Sequence, residues 1–365
     1  MRRKSAARGD EASQLRPKQT RWDRLVVGLR MRIIRGLRKR ASFPGRSCLT
    51  LGTFDGVHLG HQKVIRRAVR KAADTGLSSV VMTFDRHPRE ALGKGVGPPL
   101  LTCTEHKLAL IEELGVDVCV LVELDDELAS MSAGDFVVNV VCDRLRAASV
   151  VAGARLRFGK DRQGTPRLLR KLGKELGFTV EFLEEVRVGG LPVSSTAIRH
   201  HILHGELSAA ESLLGRRFSI VGRVVRGKSV GRKLGYCTAN IRPLDQVIPP
   251  RGVYVAEVLV EGDRHPGALN VGWRPTFPGR RPSSPTLEVH IIDFDKEIYR
   301  ERVEVIFHRR IRDEERFASP QELAAQIALD IEEVKRYLHN HRKSNAPKQP
   351  RRRHELLPRT MERVD

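Results

Sequence analysis

No apolar run in this 365-residue sequence approaches the roughly 20 residues that span a bilayer, so no membrane helix is expected. The basic N-terminus lacks the continuous apolar core of a secretory signal, and none is expected there either. Cysteine is sparse: Cys48, Cys103, Cys119, Cys142 and Cys237 are odd in number and widely spaced, with no CxxC pair. That excludes the usual zinc and dithiol motifs and fits a reduced cytosol, so a cytoplasmic protein is expected. Aromatic residues make up only 5% of the chain. Among the charges of the two ends, Trp22 is the one aromatic, which weakens any case for base stacking.

What is abundant is positive charge, a formal net +22. Residues 1–42 hold 14 Lys or Arg against 3 Asp or Glu, and residues 341–365 hold 8 against 3, so the basicity belongs mainly to the ends. Two readings follow: solvated tails, or arms for nucleic acid or another acidic surface. Residues 1–30 are polar and predicted disordered. The length predicts two domains.

From residue 47 short apolar runs alternate with helical stretches. Strands are predicted at Ser47–Thr53, Ser79–Phe84, Val116–Val122, Ser149–Gly153 and Thr179–Leu183. Helices are predicted at Gln62–Ala73, Glu105–Leu114, Ala133–Ala147 and Arg167–Leu176. Runs such as SSVVMTF and SVVAG are continuously apolar, as strands covered on both faces must be. Five strands joined by helices predict a Rossmann-like α/β domain. After a short helix at Ser208–Leu214 the texture changes. Val- and Ile-rich segments at 218–226, 253–260, 265–272, 286–293 and 298–307, several alternating, predict an antiparallel barrel or sandwich. A closing helix is predicted over about 320–339. Ser319 is its N-cap, Glu322 stands at capping-box spacing, and Leu323, Ile327, Ile331, Val334 and Leu338 form one face.

The stretch from Gly52 to His61, GTFDGVHLGH, falls between the first strand and the first helix. Ligands of open parallel sheets bind at such strand ends. Gly52, Gly56 and Gly60 permit tight turns and close approach, and the helix start offers free N–H groups to phosphate. His58 and His61 are donors aimed at the same anion. The HxGH pattern resembles the signature of the nucleotidyltransferase superfamily. The string as a whole is similar to the FMN adenylyltransferase domain of bacterial bifunctional riboflavin kinase/FAD synthetases. Three further segments resemble that family in order: TFDRHPRE at 83–90, LRFGK at 156–160 and SSTAIR at 194–199. Arg86 and Arg155 depart from it, standing where the family has Pro and Asp or Asn.

The resemblance implies that His58 and His61 hold the ATP phosphates, with Phe54 and the three glycines lining the site. Ser194, Ser195, Thr196 and Arg199 would close over the leaving pyrophosphate. Phe84, His87, Arg155 and Arg157 would meet nucleotide or flavin. In the second domain, GKSVGRKLGYCTAN at 227–240 resembles the riboflavin kinase GxxxGxxLGxPTAN, with Cys237 in place of Pro. NVGWRPTF at 270–277 and LEVHIIDF at 287–294 resemble two further kinase motifs. By that resemblance Gly227, Gly231 and Gly235 wrap phosphates, Thr238 and Asn240 hold Mg2+, Asn270 and Arg274 meet flavin or nucleotide, and Glu288 is the general base.

The expected organisation is a basic extension at 1–42, an adenylyltransferase-like domain at 43–200 and a linker helix at 201–216. A riboflavin kinase-like domain at 217–340 and a basic disordered tail at 341–365 follow. The expected activity is riboflavin to FMN to FAD, with ATP as co-substrate and Mg2+ as cofactor. The alternatives are a kinase whose adenylyl transfer is weakened by Arg86 and Arg155, or a non-catalytic flavin- or nucleic-acid-binding paralogue using the basic ends. Met31 is the expected start, because RIIRGLR resembles the way family members begin. The oligomeric state is left open.

Overall fold

The computed structural model describes residues 31–37, 45–86, 97–227, 235–273 and 285–345. The predicted disorder of 1–30, the tail beyond 345, and the candidates His87, Gly231 and Arg274 lie outside those residues.

The first domain is a parallel sheet with helices between its strands. In chain order it comprises β1 (Arg32–Arg35), β2 (Ser47–Leu51), α1 (Leu59–Thr75), β3 (Ser78–Phe84), α2 (Thr104–Glu112) and β4 (Val118–Val122). Next come α3 (Asp126–Ser130) and α4, one α-turn at Ala133–Asp135 that runs into a π-helix at Phe136–Arg144. Then follow β5 (Ala147–Gly153), α5 (Pro166–Leu176) and β6 (Thr179–Leu183). The strand order is β1-β4-β3-β2-β5-β6, every pair parallel. Central strands β3 and β4 are buried at nearly every position because helices cover both faces.

Two details differ from the sequence expectation. The sheet has six strands, not five, because RIIR at 32–35 adds an edge strand in register with Val118–Leu121. The helix expected over Ala133–Ala147 stops at Arg144 and is mostly π-helical, and Ala147 already starts β5. Wherever the chain leaves β2 it winds outward through β3 and β4, then returns to β5 on β2's other side. That reversal creates a crevice at the carboxyl ends of β2 and β5.

A two-strand ribbon, β7 (Arg187–Val188) and β8 (Leu191–Pro192), leads into α6 (Ser195–Leu203) and α7 (Leu207–Leu214). The second domain is a closed antiparallel barrel. Its strands are β9 (Ser219–Val225), β10 (Thr238–Pro243), β11 (Gly252–Val260), β12 (Asp263–Trp273), β13 (Pro285–Ile291) and β14 (Arg302–Arg312). Neighbours run β10-β13-β12-β11-β14-β9, and β9 closes on β10. Closure removes sheet edges, which decides between the barrel and sandwich expectations. Strand β10, which the sequence shows only as a motif, is the sixth barrel strand.

Leu269, Val271, Leu287, Val289, Val303 and Val305 fill the barrel. Helix α8 (Pro320–Asn345) lies across the outside, where Ile331, Val334 and Leu338 pack on Val255 and Ile292. Strand β11 is therefore buried on both faces along its whole length. The predicted cap is present: Ser319 Oγ accepts from Glu322 N at 3.2 Å, and Glu322 Oε2 accepts from Ala318 N at 3.0 Å. Arg312 grips buried Asp330 through two bonds, of 3.0 and 2.8 Å, fixing the helix to β14.

The domains share one core. Leu101, Ile198, Ile202 and Leu214 belong to the same buried cluster as the barrel interior. Gln246, 5% exposed, is the polar link within it. Its Oε1 accepts from Val221 N at 2.8 Å, and its Nε2 donates to Leu101 O at 3.2 Å and Ser219 O at 3.3 Å. Leu100 pairs with it through the backbone. Replacing Gln246 by Ala leaves a buried N–H and two carbonyls unpaired, at about 1–3 kcal/mol for such a loss. Chemical denaturation of Gln246→Ala is expected to show that decrease, while Gln246→Glu retains part of it.

Candidate functional site

The loop after β2 is strained and clamped. Phe54 and Val57 adopt positive φ, +48° and +39°, conformations that cost non-glycine residues about 1–3 kcal/mol each. Gly56 sits between them at φ +84°, and a Cβ there would fall 2.7 Å from Leu101 Cδ1, so only glycine fits. The clamps come from several elements. Gly56 N donates to Thr102 Oγ1 at 3.1 Å, and Arg216 donates to Gly56 O at 2.9 Å. Gln62 Nε2 donates to both Val57 O and Leu214 O at 2.9 Å.

Asp55 is the centre of the clamp. Its buried Oδ1 accepts from Leu101 N at 2.8 Å and Thr102 N at 3.2 Å, and its Oδ2 accepts from Arg199 at 2.9 Å. Burial pushes its carboxyl above the usual range, while the Thr102 N–H, Arg199 and the Leu101 N–H pull the other way. Arg199 also donates through Nε to Pro99 O at 2.7 Å. Two of its five N–H donors are thus spent on holding the side chain still.

Two helix N-termini converge on this loop. His58 caps α1, its Nδ1 accepting from His61 N at 3.3 Å. Because Nδ1 is an acceptor there, the ring proton of neutral His58 resides on Nε2, which is left as a donor. Burial lowers the His58 pKa to about 4, with nearby Arg216 contributing. The His61 ring stacks on His58, centroids 3.6 Å apart, and meets the edge of Phe54 at 5.2 Å. Burial also drives His61 well below the ordinary value, and its Nδ1 has no protein partner. Both imidazoles are neutral at physiological pH. Ser194 caps α6, accepting from Ala197 N at 3.2 Å, and Ser195 Oγ donates to Asp55 O at 2.9 Å. A Cβ added at Gly60 would lie 3.1 Å from the His58 ring and 3.9 Å from Val193 O, so the two helix starts are close together there. Thr196 is exposed beside them, and Gly52, bonded to Met82 O, packs on the Phe54 ring.

Lys107 belongs to no sequence motif. It is buried on α2 and donates to Phe84 O at 2.5 Å and Thr53 O at 3.4 Å, clipping together the ends of β2 and β3. A lysine within the apolar stretch KLALI was its only signal. Arg155 and Arg157, in the turn after β5, are exposed. Arg155 pairs with Glu185, and Arg157 donates to Leu156 O at 3.0 Å. Phe84 ends β3, and Arg86 is exposed beyond it.

A second cluster lies on the outer face of the barrel. Register places Asn240 opposite Glu288, and Glu288 opposite Asn270, in one row across β10, β13 and β12. Alternation explains the facing, since Leu287 and Val289 point into the core. Thr238, two residues before Asn240, joins the same face, and its hydroxyl donates to Glu288 Oε1 at 2.6 Å. Gly227 packs so closely on the Asn240 amide that a Cβ would lie 2.1 Å from Nδ2. Gly235 turns the chain at φ +86°. Two clefts meet at Thr238. One, of about 270 Å³, runs past Asn270, Glu288 and His290 beneath α8. The other, of about 360 Å³, is lined by Cys237, Ala239, Phe294 and Tyr299. Gly222–Ser229 has the spacing of a P-loop, but Gly222 is inside β9, paired with Pro243 and Val303, whereas a P-loop glycine ends a strand before a helix.

Comparison with known proteins finds relatives for both domains. The family model for FAD synthetase matches residues 41–197, and that for riboflavin kinase matches 214–338. The bifunctional riboflavin kinase/FMN adenylyltransferase of Escherichia coli K12 is 39% identical over 302 residues, 82% of this chain and 96% of that protein. The Haemophilus influenzae protein of the same description is 37% identical over 85% of this chain and all of its own length. That of Bacillus subtilis is 37% identical over 82% and 94%. A crystal structure described as a macrolide-efflux protein from Streptococcus pneumoniae superposes with a TM-score of 0.74 at 32% identity, covering 83% of this chain and 98% of that one. No described helix is long and apolar enough to cross a membrane. The chain belongs to the bifunctional riboflavin kinase/FMN adenylyltransferase family.

The buried histidines give the fold a pH dependence. His58 and His106 both fall from 6.5 to about 4, burial being the main cause. Between those values the unfolded chain binds protons that the native chain does not, so stability is lost as pH falls from about 6.5 towards 4. Melting temperatures measured from pH 7.5 to 4.5 are expected to fall in that window, and His106→Leu should flatten the slope.

Proposed function

We propose that the chain makes FAD from riboflavin in two ATP-dependent steps, one in each domain. What carries the reading is that each domain has its own separate cluster suited to phosphate chemistry. The barrel transfers the γ-phosphoryl of ATP to the 5′-hydroxyl of riboflavin, giving FMN and ADP. The sheet domain transfers the adenylyl group of a second ATP to FMN, giving FAD and pyrophosphate.

In the barrel, Glu288 is the base that takes the hydroxyl proton as the oxygen attacks. Thr238 holds one carboxylate oxygen in place, so the acceptor is oriented before substrate arrives. Thr238 and Asn240 are the candidate Mg2+ ligands. The chemistry fits: the Thr238 proton points at Glu288, leaving its lone pairs free, and Asn270 Oδ1 in the same row is buried without a protein partner. When bound, Mg2+ would neutralise ATP phosphate charge. Gly227 and Gly235 flank the phosphate path, to which Gly231 is also assigned. Asn270 and Arg274 are assigned to flavin or nucleotide.

In the sheet domain FMN supplies its own nucleophile, so the protein needs to align two anions and stabilise charge on the leaving pyrophosphate. His58 donates from Nε2 to the ATP phosphates, with His61 beside it. Both act as neutral donors, and the positive field comes from the helix N-termini and Arg199. Ser194, Ser195 and Thr196 present the start of α6 to the pyrophosphate. Phe84, His87 and Arg157 are assigned to the nucleotide or flavin. Arg155 has its charge balanced by Glu185, which is compatible with a working site. The free thiols and ATP dependence favour the cytoplasm.

Removing one preorganised donor costs about 10²–10³ in rate. His58→Ala is therefore expected to lower FMN adenylylation by that factor and leave riboflavin phosphorylation unchanged. Glu288→Gln is expected to do the reverse. Separate assays of the two steps on both variants test the reading, and loss of both activities in either variant, with the fold intact, would contradict it.

A further inference from the structure

The last turn of α6 and the turn after it carry four groups that neither reaction uses: His200, His201, His204 and Glu206. One ligand atom each from His200, His201 and Glu206 lie within 4.8 Å of one another. His200 and His204 are a helical turn apart, and their rings stack with centroids 4.1 Å apart. His201 Nδ1 is 2.5 Å from Glu206 Oε2. The cluster is mostly exposed, with His201 half-buried.

Hydrogen bonding has already arranged these groups. His204 Nδ1 is 2.8 Å from His200 O. A carbonyl only accepts, so that nitrogen carries the proton and His204 Nε2 keeps its lone pair. Such a bond from the second ring nitrogen to a backbone carbonyl is the usual support of a metal-bound histidine. The carboxyl end of a helix, where this cluster sits, also favours cations.

We propose that this cluster is a binding site for a divalent transition metal of the Zn2+ class, with His200, His201 and Glu206 as ligands and His204 as the adjacent fourth donor. Two imidazoles and a carboxylate select Zn2+, Ni2+, Co2+ or Cu2+ over Mg2+, which takes oxygen ligands. It is thus chemically separate from the Mg2+ of the reactions. Metal–ligand lengths of about 2.0–2.2 Å separate tetrahedral ligand atoms by roughly 3.3–3.6 Å. The short His201–Glu206 contact would open to admit the ion and the wider separations would close. Rotation of these side chains would make both adjustments. Arg199 precedes His200 directly, so the ion would sit on the helix that also presents that arginine.

Co2+ titration of the metal-free full chain reads the site through visible d–d absorption. One saturating equivalent is expected, displaced by Zn2+ and resistant to excess Mg2+. His201→Ala and Glu206→Ala are each expected to weaken binding at least tenfold, with FAD synthesis in the absence of transition metal unchanged. A variant-free readout is the acylation of histidines by diethylpyrocarbonate, mapped by mass spectrometry. Zn2+ should protect His200 and His201 in the wild-type chain. No saturable Co2+ band, equal binding by both variants, or no protection of these residues would overturn the proposal.

Discussion

The buried carboxylate of Asp55 holds the rest of the first site together. Three donors converge on it, from Leu101, Thr102 and Arg199, which come from two separate parts of the chain. Without that anion the loop that holds Phe54 and Val57 at positive φ would lose three of its clamps, and Gly56, Val57 and the Asp55 carbonyl alone would keep theirs. Breaking a buried pair of this kind costs about 3–5 kcal/mol, because the partner charge is left without compensation. The same carboxylate fixes Arg199, so loop strain and arginine position are set by one group. Preorganisation of this kind is what adenylyl transfer needs, since the reacting atoms all belong to substrates.

The segment that binds Asp55 also reaches the barrel. Leu101 O accepts from Gln246 and Leu100 pairs with it through the backbone, while Gln246 bonds to Val221 and Ser219 of β9. A continuous path of hydrogen bonds thus runs from the HxGH loop to the barrel wall, inside a shared apolar core. The barrel site itself is on the outer face, in a row fixed by strand register. The two chemistries are separate in residues and joined in scaffold. Under the roles proposed for Glu288 and His58, a point change at either acts on one step alone.

Much of this was legible in sequence because the signals were periodic or clustered. Continuous apolar runs marked the parallel strands, alternation marked β11 and β13, and HxGH stood where a strand meets a helix. What escaped were features with no pattern. RIIR at 32–35 is a four-residue edge strand, too short to show a period. Strand β10 was hidden by its own motif, since TAN reads as ligands rather than as a strand. The π-helical stretch FVVNVVCDR has an apolar content that fits an ordinary helix equally well. Asp55, Lys107 and Gln246 are single polar residues whose importance comes from burial, and burial is a property of the fold. Arg155 looked like a charge reversal in sequence. Its pairing with Glu185 appears only once β5 and β6 lie side by side.

The central claim is that one chain holds two working sites. The most direct test is chromatographic analysis of products from purified protein given MgATP with riboflavin in one reaction and with FMN in another. The account predicts FMN and FAD from the first and FAD from the second. FMN without FAD would contradict it for the sheet domain and turn attention to Arg155. No product in either reaction, from folded protein, would contradict it altogether.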